Sequence, residues 1–126
     1  MTVVLDASAV LALIQGEPGA ERVRAVVQDA SLSAVNLTEV VTKLTGRGIP
    51  ADAVRAILGE IELRVHPHDE DLAIEAGVLH ASTRPLGLSL GDRSCLALAR
   101  RLGVPALTTD RAWAGVEIGV AVEVIR

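Results

Sequence analysis

Four acidic residues of this sequence have the side chains and the positions that binding of a hard metal ion needs. They are Asp6, Glu39, Asp92 and Asp110. Carboxylates that lie together repel one another, and Mg²⁺, which prefers oxygen ligands, relieves that repulsion. Water bound to such an ion is a nucleophile at neutral pH, and a second ion can stabilise a leaving oxygen. If the fold brings the acids together, the chemistry they indicate is hydrolysis of a phosphodiester.

Two of these acids end apolar segments. Asp6 follows the run Val3–Leu5, and Asp110 follows the short segment 105–108. Apolar runs without alternation are typical of strands that are buried on both faces, as in parallel sheets. Ligands of open α/β sheets bind outside the carboxyl ends of the strands. The sequence therefore predicts that Asp6 and Asp110 lie at one edge of a parallel sheet.

The other two acids are expected at the starts of helices. Glu39 lies three residues after Asn36, and Asp92 lies three residues after Ser89, which is the spacing of a capping box. The helix dipole stabilises an acid in a first helical turn by about 0.3–1 kcal/mol, so each acid alone is explained as a cap. Because Asn36 and Ser89 can cap these helices themselves, the combination favours a shared acidic site.

Apolar spacing and helix-breaking residues predict strands that alternate with helices. The predicted strands cover residues 2–6, 31–35, 62–66, 105–108 and 120–125. The predicted helices cover residues 8–14, 17–28, 36–45, 50–61, 69–80 and 93–102. This alternation predicts an α/β fold with a mainly parallel sheet of about five strands and helices on both faces. No linker or repeat interrupts the chain, so one domain, residues 1–126, is expected.

The composition limits the classes of protein to which the chain can belong. Its 126 residues, half of them apolar, suit one domain with an aliphatic core, since Trp113 is the only aromatic residue. The net charge of -4 argues against broad electrostatic binding of nucleic acid, although a local basic rim stays open. No apolar run approaches the ~20 residues of a membrane helix, so no membrane association is expected. The single cysteine, Cys95, favours a reducing, cytoplasmic location.

Four segments of the chain resemble the motifs of PIN-domain ribonucleases. They are Val4–Ala9, Asn36–Val40, Leu90–Ala97 and Leu107–Trp113. Their order, their spacing and the length of the chain resemble the VapC-type toxins of bacterial toxin–antitoxin pairs. The resemblance implies a single PIN-like domain, an α/β/α sandwich, that cleaves RNA with Mg²⁺ or Mn²⁺. It also implies a homodimer and inhibition by a small antitoxin protein.

The resemblance also implies roles for individual residues. The implied catalytic acids and metal ligands are Asp6, Glu39, Asp92 and Asp110. Ser8 and Thr109 are implied polar neighbours that orient ligands or water. Arg93 and Arg111 each directly follow an implied ligand. Since guanidinium groups bind phosphate, both arginines are candidate RNA contacts.

Two other functions remain open. One is an aspartyl phosphotransferase with Asp6 as the nucleophile, although Ser8 stands where haloacid-dehalogenase-like proteins have a second aspartate. The other is a non-catalytic PIN-like module that binds RNA or protein. Clustered carboxylates are also expected to raise the pKa of at least one acid, because like charges disfavour ionisation.

The other residues whose side chains could bind a metal, react or stack on a base have simpler structural explanations. His66 and His68 are explained by a turn after a strand rather than as a metal-binding pair. Cys95 lies in a helical apolar pattern and is expected in the core. Trp113 is expected to cover one end of the core, with base stacking as the alternative.

Overall fold

The centre of the protein is a sheet of five parallel strands, and the computed structural model describes residues 2–126. The strands are β1 (Val3–Leu5), β2 (Ala30–Ser33), β3 (Arg64–His66), β4 (Ala106–Thr108) and β5 (Val122–Val124). Their order across the sheet is β3-β2-β1-β4-β5, so β1 is central and pairs with β2 and β4. The predicted α/β fold with a parallel sheet is therefore confirmed.

Seven α-helices connect the strands over the described residues. They are α1 (Ala7–Gln15), α2 (Ala20–Val26), α3 (Ala34–Gly46), α4 (Ala51–Ile61), α5 (Glu70–Val78), α6 (His80–Thr83) and α7 (Leu90–Leu102). Short 3-10 helices cover Val27–Asp29, Arg84–Leu86 and Arg111–Gly115. Within residues 2–126, none of these helices has the length and apolarity needed to cross a membrane.

The side chains of β1 explain why helices cover both faces of the sheet. Val3 and Leu5 pack into one buried cluster with residues of α1 and α3, such as Val10. Val4, which points the other way because side chains alternate along a strand, packs into a second cluster that contains Trp113. The unalternating apolar run is thus buried on both faces, as the sequence predicted.

The start of α3 differs from the sequence prediction. The strand expected over 31–35 ends at Ser33, and Ser33, not Asn36, is the N-cap, because its hydroxyl accepts a hydrogen bond from Asn36 N at 3.1 Å. The apolar residues after Ser33 lie in the first helical turn, although their types suit a strand equally well. Glu39 consequently lies in the second turn of α3 rather than in the first.

Candidate active site

The carboxyl end of the sheet carries a cavity of about 210 Å³ that all four acids line. Asp6 follows β1, Glu39 lies on α3, Asp92 lies in the first turn of α7, and Asp110 follows β4. The other residues around this acidic cavity are Ala7, Ser8, Leu11 and Lys43. Four separate elements therefore bring the acids of the sequence analysis to one place.

Asp6 is the most buried acid of the cavity, with 4% of its surface exposed. It caps α1, because its Oδ1 accepts hydrogen bonds from Ala9 N at 2.8 Å and from Ser8 Oγ at 2.7 Å. Its Oδ2 accepts a hydrogen bond from Thr108 Oγ1 at 2.5 Å. Burial raises the pKa of Asp6 to about 6, the hydrogen bonds oppose this shift, and the charge of Asp92 adds to it. The expected rise in pKa is confirmed for Asp6, but burial contributes more to it than repulsion does.

The polar neighbours of Asp6 are Ser8 and Thr108. The Ser8 hydroxyl donates to Asp6 and accepts a hydrogen bond from Thr109 N at 2.9 Å. Thr108 is fully buried, and its hydroxyl accepts a hydrogen bond from Asp110 N at 3.0 Å while it donates to Asp6. The hydroxyl that was expected from Thr109 is therefore supplied by Thr108, and Thr109 contributes its backbone N–H.

Asp92 belongs to the capping box of α7, in whose first turn it lies, and Asp110 caps the 3-10 helix that follows it. Asp92 Oδ2 accepts a hydrogen bond from Ser89 N at 2.8 Å, and Ser89 Oγ accepts one from Asp92 N at 3.2 Å, so the expected capping box is confirmed. Asp110 Oδ1 accepts a hydrogen bond from Ala112 N at 2.9 Å. The explanation of these acids as caps is thus correct, and it is compatible with their position around the cavity.

The oxygen atoms of the cavity are of the kind that binds a hard divalent cation, but they do not form a complete coordination shell. Within residues 2–126, no three His, Cys, Asp or Glu side chains converge closely enough to hold a metal ion. The carboxylates of Asp6, Asp92 and Asp110 accept hydrogen bonds from backbone N–H groups at helix starts. Carboxylate and hydroxyl oxygens are nevertheless the donors that Mg²⁺ and Mn²⁺ prefer.

Lysine 43 is a cavity residue that the sequence analysis did not single out. Lys43 lies four residues after Glu39 on α3, and this spacing places both side chains on one face of the helix. That spacing was the available signal. Lys43 brings a positive charge to a cavity whose other charged lining residues are all acids.

The two candidate arginines have different environments. Arg93 is half-buried, and its Nη1 donates a hydrogen bond to the Ala76 carbonyl of α5 at 2.9 Å. Its guanidinium is directed at α5 and does not line the cavity, so the structure does not bring Arg93 to the site. Arg111 is exposed at the start of the 3-10 helix after Asp110, and its contact with RNA stays a prediction.

The histidines, the cysteine and the tryptophan have structural surroundings. His66 Nε2 lies 3.0 Å from Ser31 Oγ and His68 Nδ1 lies 2.8 Å from Ser94 Oγ, so the two rings contact different serines. Trp113 is fully buried, which confirms its place in the core and excludes base stacking. Cys95 is also fully buried, and burial, followed by the nearby acids, raises the pKa of its thiol.

Comparison with protein families identifies the family to which the chain belongs. The model of the PIN domain matches residues 3–118, and the chain therefore belongs to the PIN-domain family. Members of this family are nucleases, and they generally use divalent metal ions. No curated protein matches the sequence.

Three of the solved structures that match this fold come from toxin–antitoxin systems. The toxin VapC20 of Mycobacterium tuberculosis, which cleaves the sarcin-ricin loop, has a TM-score of 0.73 at 24% identity, with 94% of this chain and 98% of that chain covered. A toxin–antitoxin complex from Klebsiella pneumoniae has a TM-score of 0.72 at 19% identity, with coverages of 94% and 95%. The DNA-bound VapBC of Salmonella typhimurium has a TM-score of 0.70 at 20% identity, with coverages of 98% and 97%. At these identities the likeness establishes the shared fold.

Proposed function

We propose that the chain is an endoribonuclease that depends on Mg²⁺ or Mn²⁺, and that it is the toxin of a type II toxin–antitoxin pair. The observation that carries this proposal is the acidic cavity: four carboxylates from four elements line one space in a PIN domain. A fold of helix caps alone does not require that the capping acids share a cavity.

The residues of the chain divide the work of hydrolysis between them. Asp6, Glu39 and Asp92 are the proposed ligands of the principal ion, and Asp110 completes the site. A bound divalent ion supplies an activated water and stabilises the charge of the phosphate. Ser8 and Thr108 fix the Asp6 carboxylate through hydrogen bonds to its two oxygens.

The cleavage test compares two Asp→Asn variants on a structured RNA. The wild type is expected to cut RNA with Mg²⁺ or Mn²⁺ and to stop when a chelator is added. Asp6→Asn should abolish cleavage, whereas Asp52→Asn, at an exposed position in the first turn of α4, should leave it unchanged. Full-rate cleavage in chelator refutes the metal dependence. No cleavage by the wild type with either ion favours the non-catalytic binding module.

The aspartyl phosphotransferase has less support from the site. Both oxygens of Asp6 accept hydrogen bonds in a buried position, and Ser8 fills the place of a second acid. A phosphorylated Asp6, trapped after incubation with a phosphate donor and detected by mass spectrometry, is the result that favours this alternative.

An apolar groove supports the proposed antitoxin partner. A cavity of about 470 Å³ lies between α1, the 3-10 helix after α2, and α4. Leu13, Ile14, Val27, Ile57 and Ile61 supply its apolar lining. An amphipathic helix of a small partner can place its apolar face in such a groove. The matched complexes of solved toxins with antitoxins are consistent with a partner of this kind.

The toxin role is tested by expression in the cell. Expression of the chain alone should arrest growth, and co-expression of a small protein encoded beside it should relieve the arrest. Ile61→Arg should weaken co-purification with that protein because it places a charge in the groove, while Asp52→Asn should not. Normal growth at a high level of folded wild-type protein counts against the toxin role.

We also propose a homodimer, which rests on the family resemblance. Helix α5 exposes Ile74 and Val78, at 59% and 72% of their surfaces, and their spacing of four residues places both side chains on one face of the helix. Sedimentation of the wild type should show a dimer, and sedimentation of Val78→Glu tests whether α5 takes part in it. A monomeric wild type refutes the dimer.

A further inference from the structure

Asn36 is a buried asparagine that joins α3 to the start of α7. It is the only asparagine of the chain, and 1% of its surface is exposed. Its Nδ2 donates hydrogen bonds to Glu39 Oε1 at 2.7 Å and to the Gly91 carbonyl at 3.0 Å. Its Oδ1 accepts a hydrogen bond from Ser33 Oγ at 3.1 Å. The amide therefore uses both of its N–H donors and its oxygen.

A row of hydroxyl groups fixes the orientation of this amide. Ser94 Oγ of α7 donates to Ser33 Oγ at 3.0 Å, and Ser33 Oγ donates onward to Asn36 Oδ1. If the amide were flipped, its oxygen would face the Glu39 carboxylate and the Gly91 carbonyl, which are both acceptors. The Nδ2 group is thus held toward Glu39.

Gly91 provides the second observation about Glu39. A Cβ placed on Gly91 would lie only 2.6 Å from Glu39 Cδ and Oε2, so the carboxylate occupies the space of the missing side chain. Gly91 lies in the first turn of α7 and has no positive φ that would call for glycine. Glycine inside a helix lowers helix stability relative to alanine, so the local backbone does not explain this residue.

We propose that Asn36 and Gly91 are positioning residues that hold the Glu39 carboxylate at the acidic cavity. Asn36 donates a hydrogen bond to the carboxylate. Gly91 has no side chain, and the carboxylate occupies the space that a side chain would fill. Because the same amide binds the Gly91 carbonyl, it also holds Glu39 of α3 in register with Asp92 of α7. This inference rests on the proposed function for its meaning, but its contacts can be tested without RNA.

The first test is a thermal double-mutant cycle in chelator. Gly91→Ala is measured in the wild type and in Glu39→Ala, and Gly59→Ala is the matched control because nothing lies within 4 Å of a Cβ at that helical position. Gly59→Ala should raise Tm by about 2–4 °C through helix propensity. Gly91→Ala should raise Tm less in the wild type, where the new methyl group displaces the carboxylate, than in Glu39→Ala, where the carboxylate is gone. An equal rise in both backgrounds refutes the role of Gly91.

The second test measures Mn²⁺ binding by calorimetry. Asn36→Ala and Gly91→Ala should each weaken Mn²⁺ binding by about 10- to 100-fold, the usual effect of removing a group that orients a ligand. Thr83→Ala is the matched control, because Thr83 is a buried residue whose hydroxyl donates to Leu79 O away from the cavity. It should lower Tm and leave the affinity for Mn²⁺ unchanged.

The outcomes separate the inference from the proposed function. Unchanged Mn²⁺ affinity in folded Asn36→Ala refutes the role of Asn36, and if this variant does not fold, Asn36→Ser, which keeps a polar group without adding a charge beside Glu39, gives the same readout. Mn²⁺ binding by the wild type without RNA cleavage contradicts the proposed function alone. If the wild type binds no Mn²⁺, the thermal cycle still decides whether Glu39 rests on Gly91.

Discussion

The substitution Asp6→Asn tests whether the acidic site costs the fold stability. Asp6 is almost fully buried, and burial raises its pKa from 3.8 to about 6. The folded state therefore binds a proton more tightly than the unfolded state does. Stability is lost as the pH rises from 3.8 through the folded pKa of about 6, and the loss is complete above it.

The size of the effect follows from the two pKa values. The difference between 3.8 and about 6 corresponds to about 3 kcal/mol of destabilisation by the ionised carboxylate at pH 8. Asparagine removes this charge and keeps an oxygen for the hydrogen bonds from Ser8 and Ala9. It loses the acceptor for Thr108, which costs about 1 kcal/mol. In chelator at pH 8, Asp6→Asn should therefore be about 2 kcal/mol more stable than the wild type.

The assay is urea unfolding in chelator between pH 4 and pH 8. The advantage of Asp6→Asn should disappear toward pH 4, where Asp6 of the wild type is protonated in the folded state. Asp69→Asn is the matched control, since Asp69 is also an N-cap but has a pKa lowered to about 2 by its hydrogen bond with Arg101. A lowered pKa gives stability that is present above 3.8 and is lost as the pH falls toward 2. Asp69→Asn should therefore destabilise the protein at pH 8.

Two results contradict this reasoning about Asp6. One is a loss of several kcal/mol in Asp6→Asn at pH 8. The other is a difference between the wild type and Asp6→Asn that does not change with pH. The first result means that the cap on α1 outweighs the cost of the buried charge, and the second means that folding does not raise the pKa of Asp6. The addition of Mg²⁺ gives an independent reading, because an ion that binds the folded state should raise the Tm of the wild type more than that of Asp6→Asn.

Further predictions concern the core and the rim of the cavity. Trp113→Ala should cost about 3–5 kcal/mol in urea unfolding because it empties a buried site, and a smaller loss means that the core collapses around it. Cys95 should react with a thiol reagent only as fast as the protein unfolds, and rapid reaction of the native protein contradicts its burial. Lys43→Gln should reduce the slope of RNA binding against salt by about 1, with unchanged Tm, and an unchanged slope means that Lys43 does not meet phosphate.

The strands, and the edge of the sheet that carries Asp6 and Asp110, could be predicted from the sequence. Each acid ends a short apolar run, and runs of this kind become buried parallel strands whose carboxyl ends share one edge. The position of Asp92 followed from its capping box with Ser89, which the structure contains. The strength of these predictions comes from local signals that the tertiary structure did not overrule.

The residue at which α3 begins, and the threonine that donates a hydrogen bond to Asp6, could not be predicted from the sequence. Ser33 and Asn36 are both good capping residues, and only the packing of α3 decides between them. The pleat of β4 beside β1 decides whether the hydroxyl of Thr108 or that of Thr109 faces Asp6. Because β4 has only three residues and all are buried, its sequence shows no alternation of polar and apolar residues that would predict the pleat.

The direction of a long side chain was also beyond the sequence. Arg93 lies one residue after Asp92, yet its guanidinium reaches the carbonyl of Ala76 on α5. A flexible arginine finds acceptors at a distance from its own backbone, and these are fixed by the neighbouring helix. Arg93 is therefore next to Asp92 in the sequence, but its guanidinium does not lie beside Asp92 in the cavity.

The hydrogen bond between Thr108 and Asp6 joins residues that are 102 positions apart, so the site can be completed only late in synthesis of the chain. A ribosome adds about 5–20 residues per second, so Asp6 is made about 5–20 s before its partner. Until β4 has emerged, β1 lacks one of its two neighbouring strands, and neither Thr108 nor Asp110 can join the acids already made. A nascent chain therefore carries no assembled site, and a chain that is cut short before β4 lacks Asp110, one of the four acids of the cavity.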